Sequence, residues 1–502
     1  MRSGASLILA CLLVSTCAPT TASVAPSIPP GAPSEDVQFA GEWPSPNGDL
    51  YNTRVAHSTI SSANVSQLGI AWTLPLQGTG ANGADVANPV IADGIAYLQD
   101  GASNVTAVRY ATGQVLWTHQ YSSPAYGPNG VTIANGRIYG VTASGVFALD
   151  ARTGEQVWHV TDFGPSKVAF NIPPQVAGGK VFVSSSLTVG GGIIYALDAG
   201  TGATVWGFQT VIDKAGQGLK ATAGGAWDAV LIGPDQSLYA GIGNPYLSQQ
   251  QAQQSPSAEL YTDSLVKLDQ ASGKLEWFYQ AFPNDFHDWD LQISPIYTTV
   301  AGRAVVLAAG KGGFVFAFDP ADGKLLWKTA VGMHNGHDED GQLALDGKLQ
   351  LATPYTVLPG VIGGVETNMA VADGVVYVPV VDVPTTYSSA TSPVGTPDLT
   401  KAAGEMVAID IATGTQLWDT KAPGAILLGG ATVSNDLVFT TTLNGALVAL
   451  SRKDGSIVWT ALLPAGSNST LAIAGDTLIA GAGVPRATTN HPVIVAYQLI
   501  HP

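Results

Sequence analysis

The chain has 502 residues, of which only 12% are charged, and a net charge of −16 at pH 7. An acidic balance of this size excludes a surface that tracks phosphates, which needs a basic stripe, and so excludes nucleic acid as the expected partner. With Gly at 59 positions, Pro at 31, and short runs of Val, Ile, Thr and Tyr, the composition is that of a turn-rich β protein.

The first 25 residues read as an export signal. Arg2 supplies a positive start, and "LILACLLV" at 7–14 is apolar but too short to span a bilayer. Small residues place cleavage after Ala18, Ala22 or Ala25. "VSTC" at 14–17 also resembles a bacterial lipobox, which would put a lipid anchor on Cys17 and make it the only link to a membrane. A flexible tether is expected over 26–36, in a stretch rich in Pro, Ser and Ala. The expected location is periplasmic or extracellular. The two cysteines, Cys11 and Cys17, both fall in the signal region, so the domain from residue 37 onward has no disulfide and depends on a large core.

From residue 37 the chain repeats itself. "VIADGIAYLQDGASNVTAVRYATGQVLWTH" at 90–119 is followed by "TIANGRIYGVTASGVFALDARTGEQVWHV" at 132–160, and further copies end in "LEWF", "LLWK", "QLWD" and "IVWT". Each unit has a strand after a Gly-centred turn, an alternating strand, a turn ending in Gly, and a last strand carrying Trp. Period-2 alternation with Gly at the turns is a β-meander pattern. The terminal tryptophans are Trp72, Trp117, Trp158, Trp206, Trp277, Trp327, Trp418 and Trp459. Eight repeats predict an all-β, eight-bladed β-propeller. Trp72 has no strands of its own before it, and the last strands, after residue 470, have no Trp. The two ends are therefore expected to share one blade.

Two spacings are long, Trp206 to Trp277 and Trp327 to Trp418. Their extra residues are 247–257, 331–352 and 384–400, expected as loops on one rim, where function concentrates. Within the second, "MHNGHDEDG" at 333–341 has metal-like spacing but reads as a polar loop.

Three of the eleven tryptophans stand outside the register. Trp43 is expected to pack an N-terminal segment across the barrel. Trp227, in "GGAWDAV", precedes an inner strand and is expected to face an axial pocket, where its plane suits a flat ligand. Trp289 lies in "NDFHDWDL" at 284–291, which concentrates Asp285, Asp288 and Asp290 in a charge-poor chain. On residue chemistry alone, these acids equally fit the cap of a loop, Lys311 a solvated turn, and Asn244 a turn before Pro245.

These motifs resemble those of the pyrroloquinoline quinone (PQQ) propeller proteins, the quinoprotein alcohol dehydrogenases, over nearly all of the chain after about residue 37. "GGAWDAV" is similar to the motif whose Trp lies under the quinone, "GIGNPY" at 241–246 to the one whose Asn ligates calcium, "HDWDLQ" at 287–292 to the one carrying the catalytic base, and "GKGGFVFAFD" at 310–319 to the one whose cation contacts a quinone oxygen. The resemblance implies Asp290 as base, Lys311 as catalytic and cofactor-contacting cation, and Asn244 with Asp290 as calcium ligands. It implies Trp227, Asn171, Ser186 and Glu366 as further cofactor contacts, with Asp288 and His287 as local support. "GGVETNMAV" at 363–371 is closest to the polyvinyl-alcohol-dehydrogenase-like branch.

The sequence departs from the family in several places. It has no adjacent cysteines, no Glu in "ADVANPVIA", no Arg in "GPNGVTI", and Val189 near the place of a calcium-binding Glu, which weakens the expected Ca²⁺ site. It has no Cys-x-x-Cys-His for covalent haem. The expectation is an exported enzyme that oxidises a small or polymeric alcohol with PQQ and passes electrons to a separate cytochrome c or other acceptor. The alternative is a non-enzymatic scaffold similar to outer-membrane assembly lipoproteins, which has no use for Trp227, Asn244, Asp290 and Lys311.

Overall fold

The computed structural model describes residues 28–164, 168–186, 191–212, 223–485 and 491–500. The export signal, both cysteines and Val189 lie outside the described residues. Among the described residues, eight antiparallel meanders follow one another along the chain, each named by its tryptophan. The Trp117 blade runs Val90–Ala92, Ile95–Gln99, Val105–Arg109 and Val115–His119. The Trp158, Trp206, Trp277, Trp327, Trp418 and Trp459 blades repeat that order. The Trp459 blade gains a short parallel strand, Val55–Ala56, on its inner edge. The innermost strand of the Trp117 blade is wholly buried, whereas its outermost strand is largely exposed. This gradient is what a ring of radial sheets imposes.

The eighth blade closes the ring with both ends of the chain, as the lone Trp72 predicts. Strands Ala472–Ala474, Thr477–Ala482 and Val493–Leu499 are completed by Leu68–Pro75, with Trp72 opposite Ala496.

The repeat's two signature residues meet across blade boundaries. Trp117 Nε1 donates to Ala151 O of the next blade at 3.0 Å, and Trp206 Nε1 to Gln270 O at 3.2 Å. The turn glycine of that next blade lies under the indole. A Cβ on Gly154 would approach Trp117 to 2.5 Å, and one on Gly273 would approach Trp206 to 2.5 Å. Both glycines have positive φ, 72° and 70°, so the position needs Gly for backbone and for space. A register shift opposite each such strand, as between Ala107 and Val108, turns the indole outward to the neighbour. Trp459 instead meets the ring of Tyr497, 6.1 Å away. The blade it faces has no turn at that place, because its last two strands come from opposite ends of the chain.

The segment after Trp43 crosses one end of the channel and plugs it. Buried Arg54 donates to Ala431 O, Asn47 Oδ1, Thr432 Oγ1 and Leu471 O, and its guanidinium lies 5.4 Å from the Trp43 ring. Asn47 and Asn52 add bonds to Ser294, Val230 O and Pro295 O. These bonds therefore tie the Trp277, Trp327, Trp459 and Trp72 blades together, and Trp43 packs as expected.

Two expectations need correction. Residues 34–36 fall in the expected tether, yet they begin the helix Ser34–Gln38. Its Glu35 carboxylate is buried and accepts the backbone N–H groups of Asn135 and Gly136. Two freely donated amides outweigh the local polarity that suggested a linker. The long rim segments are also not plain loops. They contain the helix Gln249–Gln254, closed by a Ser248/Gln251 capping box, the helix Asp340–Leu345, and the strands Thr385–Tyr387 and Thr396–Pro397 of a small sheet completed by Tyr355–Val357. Asn284 joins them by donating to Ala252 O and Gly341 O.

Candidate active site

The plug leaves a cavity of about 340 Å³ around the ring axis, lined by Trp227, Tyr246, Asp290, Lys311, Glu366 and Asn368 among others. The residues come from segments flanking the first and second strands of neighbouring blades. Trp227 precedes Leu231–Ile232, Asp290 precedes Ile296–Val300, Lys311 follows Arg303–Gly310, and Glu366 precedes Ala370–Ala372. Trp227 is half-buried. Its indole fits between two glycines: a Cβ on Gly243 would lie 2.9 Å from Trp227 Nε1, and one on Gly127 would lie 3.4 Å from its ring.

One hydrogen-bonded ion cluster forms a wall of this cavity. Lys311 Nζ lies 2.6 Å from Asp290 Oδ2 and 3.1 Å from Asp288 Oδ2. Asn244 donates its backbone N–H to Asp290 Oδ1 at 2.7 Å and its Nδ2 to Asp288 Oδ1 at 2.6 Å. Burial pushes Asp288 up to about 7, with Lys311 opposing the shift and Asp290 adding to it. Burial would lower Lys311, but Asp288, Asp290 and Glu366 outweigh it and hold the ammonium well above its usual value. Glu366 accepts from Gln292 Nε2 at 2.9 Å, and burial raises it to about 7 against the pull of Lys311. Asp263, behind this wall, is buried with neither oxygen hydrogen-bonded among the described residues. Burial and then Asp285 drive its carboxyl strongly upward.

The structure thus brings together Trp227, Asn244, Asp290, Lys311 and Glu366. It does not bring Asn171 or Ser186 to the cavity lining. Asn171 is buried beside the place where a Cβ on Gly127 would sit. Neither its Oδ1 nor its Nδ2 has a partner among the described residues. The Ser186 hydroxyl is turned to Ala169 O at 3.4 Å, because the backbone supplies its acceptor. Trp289 faces the core rather than the cavity, and its Nε1 donates to Pro359 O. Asp288 is not merely a support for the loop, since it shares the Lys311 ammonium with Asp290. Several lining residues were missed, including Asn88, Asn129, Tyr246, Gln292 and Asn368. The only signal for Tyr246, Gln292 and Asn368 was their place inside motifs already singled out for a neighbour.

The sequence and fold agree with these motifs. The family model for glucose/ethanol/alcohol dehydrogenase, β-propeller domain, matches residues 43–132 and 160–333, more than half of the chain. The chain belongs to this PQQ-dependent alcohol dehydrogenase-like family of β-propellers. Trp227, Asn244, Asp290 and Lys311 all fall within the matched residues. A second model, outer membrane protein assembly factor BamB, matches 402–491, away from those four.

Among curated relatives, a quinohemoprotein alcohol dehydrogenase of Comamonas testosteroni is 28% identical, over 84% of this chain and 69% of its own. ADH IIB, a quinohemoprotein alcohol dehydrogenase of Pseudomonas putida, is 27% identical over 90% and 74%. Among solved structures, quinohemoprotein alcohol dehydrogenase ADHIIG of Pseudomonas putida HK5 superposes with a TM-score of 0.81 at 22% identity, covering 94% of this chain and 83% of its own.

Proposed function

We propose that this protein is an exported quinoprotein dehydrogenase that oxidises an alcohol with PQQ and delivers the electrons to a separate acceptor, such as a cytochrome c. The observation that carries the reading is the Asp290–Lys311 ion pair beside an indole plane in one cavity. The residues fit a flat, polar cofactor. Trp227 offers a stacking face, Lys311 a fixed cation, and Asn244 Oδ1, Gln292 Oε1 and Glu366 Oε1 are buried oxygens with no partner among the described residues. Asn244, Asp288 and Asp290 offer only oxygen ligands, which suits Ca²⁺, but six to eight are usual. A bound cofactor and water would have to complete that shell.

PQQ bound here would supply the two-electron acceptor for the hydride leaving the carbinol carbon. Asp290 takes the hydroxyl proton as general base. Lys311 covers Asp290 Oδ2, but it also holds Asp288. It can therefore turn toward Asp288, free that oxygen for the substrate, and remain paired. Its charge then stabilises negative charge developing nearby. Asn244 orients the other Asp290 oxygen through its N–H.

Export is supported by the charged start and short apolar run at 2–14, with Cys17 as the place of a lipid anchor. No helix among the described residues is long and apolar enough to cross a membrane. In this proposal the electrons leave the propeller for another carrier. The experiment is to mix the purified chain with PQQ and Ca²⁺ and follow alcohol-dependent dye reduction. Turnover with a primary or secondary alcohol, small or polymeric, is expected. Absence of PQQ binding would overturn the proposal in favour of a scaffold.

A further inference from the structure

The rim segment 331–352 returns to the loop that carries Asp290. His337 Nδ1 lies 2.8 Å from Asp340 Oδ2, and His287 Nε2 lies 3.0 Å from that same oxygen. The three donor atoms all lie within 4.8 Å of one another. We propose that His287, His337 and Asp340 form a site for a borderline divalent transition ion, of which Zn²⁺ is the type, that fastens the rim insertion to the active-site loop.

The arrangement has the parts such a site needs. Two imidazole nitrogens and a carboxylate oxygen are a three-ligand set for tetrahedral zinc, with metal–ligand distances of about 2.0–2.2 Å and one place left for water. The two rings converge on a single oxygen of Asp340 instead of dividing between two. As hydrogen bonds alone, that leaves one lone-pair-rich oxygen serving both rings. An ion between the three atoms would use all three lone pairs at once.

The surroundings differ on the two sides. His287 is only 1% exposed and packs among Phe286, Trp289, Tyr355 and Tyr387, at ring distances of 4.3, 5.0, 5.9 and 5.5 Å. Its Nδ1 and the hydroxyls of Tyr355 and Tyr387 are buried without partners among the described residues. Coordination through Nε2 would fix the proton on Nδ1, the nitrogen that a ligating histidine usually turns to an orienting acceptor. His337 keeps 17% of its side chain exposed, which gives an ion a way in.

The site differs from the cation position implied at Asn244 and Asp290. None of its three residues lines the axial cavity. The connection is the chain itself: His287, Trp289 and Asp290 follow closely in one loop, and Asp285 holds the N–H groups of His287 and Trp289 at 2.9 and 3.0 Å.

The full chain, stripped with a chelator, is titrated with Zn²⁺ and separately with Co²⁺. The readouts are metal per chain, the visible bands of Co²⁺, and the Tm. One ion per chain is expected, with Co²⁺ bands of nitrogen and oxygen ligation and a Tm that rises with free metal. His337→Ala removes only the partly exposed ligand and should weaken binding at least tenfold. Asp340→Asn should do the same, and Asp290→Asn should leave binding unchanged. The proposal is overturned if micromolar free Zn²⁺ does not bind, if His337→Ala binds as tightly as the unaltered chain, or if Asp290→Asn alone abolishes binding. None of these readouts needs PQQ or turnover, so they stand apart from the proposed dehydrogenase activity.

Discussion

Lys311 Nζ lies 2.6 Å from Oδ2 of Asp290, and the two belong to successive segments of the Trp327 blade, one entering its inner strand and one leaving its second. The backbone fixes this pairing before the side chains meet. Lys311 donates its N–H to Asp290 O at 3.0 Å, and Gly310 runs so close to that carbonyl that a side chain there has no room. The charge pair is thus held by main chain on both sides.

Removing the base should separate Asp290 from its neighbour. Asp290→Asn keeps the shape and should lower dye-linked turnover by about 10²–10⁴-fold, with PQQ still bound. Asp288→Asn should cost less, because Asp290 remains as the base and only the second carboxylate that can hold Lys311 is lost. Asp288 is raised to about 7, so it gains charge through neutral pH, and the Asn variant should also lose part of the pH dependence of turnover near 7. Steady-state rates of both variants from pH 5 to 9 provide the check. A larger loss in Asp288→Asn would reverse the assignment.

If Trp227 supplies the stacking face, Trp227→Ala should remove on the order of 1 kcal/mol. PQQ would then bind several-fold more weakly, and the quenching of tryptophan emission on binding should shrink. Titration of both proteins with PQQ, followed by fluorescence, measures this. Equal affinities would show that the cofactor lies elsewhere.

The ring was readable because its signals are local and repeated. A Trp and a turn Gly recur along the repeats, and the structure shows why: every terminal Trp but Trp459 lies on the next blade's Gly. The missing strands before Trp72 likewise announced the shared blade. Trp227, Asn244, Asp290 and Lys311 were legible through short motifs that build tight turns around single side chains. What stayed hidden depends on contacts between distant segments. His287 meets Asp340 only because the rim insertion folds into a helix and docks on Asn284. No periodicity encodes such docking, so "MHNGHDEDG" read as a loop. Asn171 and Ser186 were placed at the cofactor by likeness alone, and neither is among the residues that line the cavity.

Buried acids make stability depend on pH in an unusual direction. Burial raises Asp85 from 3.8 to about 7. In the unfolded chain this group ionises near 4, whereas in the fold it keeps its proton until about 7. Between those values the folded state binds more protons, so stability falls as pH rises. The loss is complete above 7 and is on the order of 4 kcal/mol for a shift of this size. Asp36, also raised to about 7, acts with the same sign. The protein should therefore be more stable at pH 5 than at pH 8. Asp85→Asn has no proton to lose and should narrow that difference, as read by urea unfolding at the two pH values.

The contact between blades offers the sharpest test of what holds the ring. Gly273 has φ +70°, and a Cβ there would lie 2.5 Å from the Trp206 ring. Gly136 has φ +75°, but a Cβ there would meet nothing within 4 Å. Both changes to Ala strain the backbone by about 1–2 kcal/mol. Only Gly273→Ala also drives a methyl into the indole, adding about 1–3 kcal/mol of overpacking. It should also loosen the Trp206 Nε1 bond to Gln270 O. Urea unfolding should show Gly273→Ala clearly less stable than Gly136→Ala. Equal losses would mean that the glycine is needed for its backbone alone and that the indole has room to move. The stacking of Trp on Gly would then be a consequence of blade packing rather than its cause.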